Sequence, residues 1–148
     1  MPKPQPVEVL LVEDDPGHAR LIEKNLRRSN ITNDIKVIDN GKEALDYLLR
    51  QGAFEGREPG NPVLVLLDLN LPGIDGYEIL RRLKADETTR KIPVVVLTTT
   101  SDQSEVERCY ALGCNVFVSK PVEYSDFSEA IARLGLFLSI VAVPGRKV

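Results

Sequence analysis

Histidine is almost missing from this chain; His18 is the only one. That excludes a histidine-built metal site and a charge-relay triad. His18 reads as an exposed position on the first helix. Cysteine is scarce too. Cys109 and Cys114 are too few for a disulfide scaffold or a zinc site, and read as small reduced residues on and just after a late helix. Positive charge is not in excess. A net charge of -3 and a pI near 5.3 are unlike the basic footprint of a nucleic-acid binder. The local cluster Arg81, Arg82 and Lys84 reads as a solvated helix face. No apolar run is long enough to span a membrane. The opening MPKPQP lacks the apolar core of a signal peptide, so a cytoplasmic location is expected. There is no Walker-type glycine loop.

The composition is that of an ordinary globular domain, 43% hydrophobic and 28% charged over 148 residues. We expect a Pro-rich tail over 1–6, one folded domain over 7–141 and a C-terminal tail over 142–148. Apolar runs at Val7–Val12, Val63–Leu67, Val94–Leu97 and Val116–Val118 read as strands, and Ile35 and Val37, alternating with Lys36, as a half-exposed one. Helical spacing follows each strand: Ala19, Ile22, Leu26; Ala44, Leu45, Leu48; Tyr77, Leu80, Leu83; Val106, Cys109, Tyr110; Phe127, Ala130, Ile131, Leu134, Leu138. Asp15-Pro16 and Asn40-Gly41 start two of these helices. QGAFEGREPGNP reads as a surface loop. A βα unit repeated five times, with strands apolar on both faces, predicts an α/β fold: a doubly wound parallel sheet between helices.

Such sheets bind ligands beyond the carboxyl ends of their strands. The residues there are Glu13, Asp14 and Asp15; Asp39; Asp68; Thr98, Thr99, Thr100 and Ser101; and Ser119, Lys120 and Pro121. Asp15 reads as a helix cap. Glu13, Asp14 and Asp68 would repel one another unless a cation joined them, and an all-oxygen set with few protein ligands suits Mg²⁺. Lys120 adds a positive charge and Thr98 a hydroxyl, a set suited to stabilising a phosphoryl group in transfer, with Asp68 as the nucleophile.

LLVEDDP, VLLDLNLPGIDGYEIL, VVLTTTS and VFVSKP, in this order and each closing a strand, resemble the receiver domain of two-component response regulators. The resemblance covers roughly 7–141. It implies the flavodoxin-like, CheY-like strand order 2-1-3-4-5. It also implies that Asp68 is the phospho-acceptor, that Glu13 and Asp14 hold Mg²⁺, Asp14 more directly, and that the Asn70 carbonyl completes the metal site. Thr98 is then the switch hydroxyl, Lys120 the phosphate-contacting lysine, with a cis bond to Pro121, and Phe117 the aromatic switch. Asn70 and Thr100 match positions that tune dephosphorylation. The implied donor is a histidine kinase, and self-phosphorylation and dephosphorylation are the only turnover expected.

The chain ends soon after its last helix, so no attached output domain is expected and signalling is expected through protein contacts. LGLFLSIVAV is apolar nearly all round. Its surplus residues Leu136, Phe137, Ile140 and Val143 suggest a homodimer through the C-terminal segment 125–143. The loop before Asn61 and this arm resemble regulators paired with bacterial phytochromes. Three other readings compete. A small-substrate phosphotransferase would want an acidic residue where Asn70 stands. A flavin protein would not surround a phosphate with carboxylates. A receiver-like module that binds without phosphorylation would not need Asp68, Asp14, Thr98 and Lys120 all intact.

Overall fold

The computed structural model describes residues 8–29, 31, 33–57, 62, 64–99, 102–120 and 123–133. The two tails, Val7, Val63, Thr100, Ser101, Pro121 and the whole of 134–148 lie outside the described residues, and so do the expectations placed on them.

Five strands alternate with five helices: β1 Glu8–Val12, α1 Pro16–Arg28, β2 Asp34–Ile38, α2 Gly41–Leu49, β3 Leu64–Asp68, α3 Gly76–Ala85, β4 Val94–Thr98, α4 Gln103–Ala111, β5 Val116–Ser119 and α5 Tyr124–Arg133. The strands form one parallel sheet in the order β2-β1-β3-β4-β5. Successive strand residues face opposite sides. Leu10, Val12, Val65, Leu67, Val94 and Val96 pack with Leu45, Leu48, Leu80 and Leu83 on one face. Val9, Leu11, Leu64, Leu66, Val95 and Leu97 pack with Ile22, Leu26 and Phe127 on the other. Each such buried side chain contributes roughly 1.5–3 kcal/mol. This two-sided burial is why the strands read as unbroken apolar runs.

Short polar side chains close the first four helices. Asp15 accepts from the N–H groups of Gly17 and His18, Asn40 from Glu43, Asp75 from Glu78 and Asp102 from Ser104. Gly113, in the left-handed region at φ 106°, ends α4.

Three local expectations are corrected. Val37 does not share the cover of Ile35; it is 41% exposed in a groove beside Ala19 and Arg20, because β2 is an edge strand that α1 covers only in part. Lys84 is not a solvated charge. Its ammonium donates to the carbonyls of Arg90 and Ile92, closing the turn into β4. The loop after α2 is not wholly open either. A 3-10 turn, Gly52–Phe54, sets Phe54 edge-on against Tyr47, with ring centroids 5.1 Å apart.

Candidate functional site: an acidic rim around Asp68

β3 ends on Asp68, which pairs with Leu97 of β4 and is 1% exposed. A carboxylate so placed needs compensation. It comes from Lys120, which follows β5. The Lys120 backbone N–H donates to the Thr98 carbonyl at 2.7 Å, fixing the chain where it leaves the sheet. The side chain then crosses β4, and its ammonium lies 3.1 Å from Asp68 Oδ2 and 2.8 Å from Glu13 Oε1. The other Asp68 oxygen accepts the backbone N–H of Asn70 at 2.9 Å.

Glu13 is as buried as Asp68. Its N–H donates to the Ile38 carbonyl, and its Oε2 accepts the N–H of Asp15. Asp14, next in sequence, is exposed. Glu13, Asp14 and Asp68 each offer a carboxylate oxygen, and the three oxygens lie within 4.8 Å of one another. Hard oxygen donors of this kind fit a hard divalent cation, and the exposed Asp14 leaves an approach from solvent.

The charges are strongly coupled. Burial works against the Lys120 ammonium, but hydrogen bonds and attraction from Glu13 and Asp68 outweigh it, so its pKa is raised and it stays cationic. Burial pushes the Glu13 carboxyl up, and Lys120 pulls against this without cancelling it. Asp15 behaves differently. The N–H of His18 chiefly holds its carboxyl low, in keeping with a cap rather than a ligand.

The turn after β3 depends on two glycines for different reasons. Gly73 has φ 81°, a region L side chains avoid, with open space around it. Gly76 has no room: a Cβ there would lie 2.5 Å from Leu69 Cα and 2.8 Å from the Asp68 carbonyl. The start of α3 therefore rests directly on the backbone of Asp68. PGIDG carried that signal in the sequence, but only as a turn.

The structure brings Glu13, Asp14, Asp68 and Lys120 together and sets Thr98, 1% exposed, at the adjoining end of β4. Asp39 lies apart from the three-carboxylate cluster, in the groove that Asp14 shares with Glu23 and Glu43. Asn70 turns its amide toward Thr99 Oγ1 at 3.5 Å, and Phe117, half-buried, packs on the Leu10 face. Sequence reading did not foresee that Lys120 would bind Glu13 as well as Asp68.

The chain matches the family model described as the response regulator receiver domain over residues 9–132. It is 40% identical over 129 residues to the protein named "Probable methanogenesis regulatory protein FilR2" of Methanothrix harundinacea, covering 87% of this chain and 81% of that one. Among solved structures it resembles the bacteriophytochrome response regulator RtBRR, at 45% identity and TM-score 0.80, covering 88% of this chain and 79% of that one. It also resembles the Mn²⁺-bound form of response regulator Rcp1, at 31% identity and TM-score 0.75, covering 97% and 99%. Fold, rim and family match agree: the chain belongs to the response regulator receiver domain family.

Proposed function

We propose that this protein is a phosphorylation-driven switch in a two-component relay, with Asp68 as the acceptor. The observation that carries the reading is the buried Asp68 carboxylate, in contact with Lys120 and within one three-carboxylate cluster. An Asp68 oxygen attacks the phosphorus of a phosphohistidine on a histidine kinase. The P–N bond breaks, the imidazole leaves and takes up a proton, and an acyl phosphate remains on Asp68.

Glu13, Asp14 and Asp68, with the Asn70 carbonyl, would hold Mg²⁺, which supplies charge neutralisation at the phosphoryl oxygens. Lys120 exchanges part of its contact with Asp68 for a phosphoryl oxygen, and the Thr98 hydroxyl donates to another. Both contacts exist only in the phosphorylated state, so they shift a two-state equilibrium, with burial of Phe117 following Thr98. Output is through protein contacts, in the cytoplasm, without nucleic-acid binding, and as a homodimer through 125–143. The likeness to RtBRR supports a phytochrome-type kinase as the donor.

Intact mass after incubation with Mg²⁺ and acetyl phosphate tests the acceptor. We expect one phosphoryl group on the wild type and none on Asp68→Asn. No gain on a folded wild type would overturn the reading in favour of a receiver-like module that binds without phosphorylation.

A further inference from the structure

α4 is held less firmly than the helices before it. α1, α2 and α3 bury four, five and four residues respectively, whereas α4 buries only Cys109. Elements with so little buried area are the first to shift. Two polar contacts to α3 supplement that single anchor. The Tyr77 hydroxyl donates to Glu105 Oε1 at 2.9 Å, and the Arg108 guanidinium stacks 3.9 Å over the Tyr77 ring. Glu105 and Arg108, three residues apart, thus grip one side chain between them.

The position of Tyr77 gives the grip its meaning. Tyr77 follows Gly76, whose lack of a side chain lets α3 rest on the carbonyl of Asp68. The N-terminal end of α4, where Glu105 also lies, follows the same rim in the chain, a few residues after Thr98, the last residue of β4. α4 is thus suspended between two points, one beside Asp68 and one at Thr98. A pull on Thr98 must move α4 relative to Tyr77 or be resisted by it.

We infer that Tyr77, with Glu105 and Arg108, is a latch that holds α4 in its resting arrangement and must release for the protein to switch. Tyr77 is a positioning residue, outside the cluster of Glu13, Asp14 and Asp68. The inference rests on the switch reading proposed above. It adds that the resting state is stabilised by a contact outside the acceptor site, so phosphorylation and latch strength act on the same equilibrium.

The test uses the full-length chain. Tyr77→Phe keeps the ring under Arg108 and removes only the hydroxyl. Amide hydrogen exchange is compared in 103–111 and 16–28 without phosphodonor, and the initial phosphorylation rate is measured with Mg²⁺ and acetyl phosphate. We expect at least about five-fold faster exchange in 103–111, unchanged exchange in 16–28, and a rate raised by a similar factor. Glu105→Ala should do the same from the other side, while Glu105→Gln, which can still accept the bond, should stay near wild type. Unchanged exchange in 103–111 for both Tyr77→Phe and Glu105→Ala would overturn the latch, as would faster exchange with an unchanged or lower rate. If even the wild type takes up no phosphoryl group, the acceptor reading fails, while the exchange data still decide whether the contact holds α4.

Discussion

Lys120 and Asp68, 52 residues apart in sequence, meet at 3.1 Å across β4, and the same ammonium also holds Glu13. One cation serves two buried carboxylates. Removing it leaves two buried carboxylates with backbone N–H donors but no neighbouring cation. We expect Lys120→Met to lower unfolding free energy by about 3 kcal/mol without added metal, read from urea denaturation. Millimolar Mg²⁺ should restore part of the loss. A loss under about 1 kcal/mol would mean that solvent already screens the pair.

Asp14 offers the reverse case. It is exposed, so Asp14→Ala should change metal-free stability by less than about 0.5 kcal/mol. Mg²⁺ should raise the melting temperature of the wild type but not that of the variant. A variant still stabilised by Mg²⁺ as strongly as the wild type would remove Asp14 from the metal site.

The two turn glycines should separate by mechanism. Gly73→Ala meets no atom but keeps an unfavourable φ, and should cost about 1 kcal/mol. Gly76→Ala pushes a methyl group into the backbone of Asp68 and Leu69, should cost about 2–3 kcal/mol, and should also slow phosphorylation. Equal costs with equal phosphorylation rates would show that α3 does not seat Asp68.

Two phenols tie stability to alkaline pH. Burial, then the Glu8 carboxylate, pushes Tyr47 up to about 12; burial, then Glu105, does the same for Tyr77. The folded chain holds these protons more tightly than the unfolded one. Their contribution is therefore complete below pH 10 and is lost as pH rises toward 12. Tyrosinate absorbance should show a late titrating component that shrinks in Tyr47→Phe. A single transition near pH 10 for all phenols would contradict the burial.

The thiols should be silent. Cys109 is wholly buried and its pKa is raised by burial; burial pushes Cys114 up to about 12. Neither should react with an aromatic disulfide reagent at neutral pH until denaturant is added, when two thiols per chain should appear.

Much of this molecule was legible in its sequence. Buried parallel strands are apolar on both faces, so β1, β3 and β4 stand out, and a carboxylate closing such a strand is conspicuous at Asp68. What escaped depended on cover supplied from elsewhere in the chain. Val37 has the pattern of an inward residue, yet the edge of the sheet leaves it open. Lys84 looks like its charged neighbours, yet two carbonyls on the way to β4 capture it. Phe54 sits in a loop by composition, and only its meeting with Tyr47 shows that the loop is docked. The bond between Tyr77 and Glu105 spans 28 residues and has no local signature.

The caps of α1 to α4 bear on how this rim can recognise an anion. Many α/β proteins bind phosphate with the free amide groups and positive dipole end of a helix. Here Asp15, Asn40, Asp75 and Asp102 have already claimed amide donors at those helix ends. Three of the four caps are carboxylates, which add negative charge where a phosphate would otherwise be welcome. A nucleotide or free phosphate drifting past therefore finds little to hold it. Under the function proposed above, an anion would be met beside Asp68, by Lys120 and a metal ion held at the three carboxylates. Closing the helices in this way makes the ends of α1 to α4 poor general phosphate receptors.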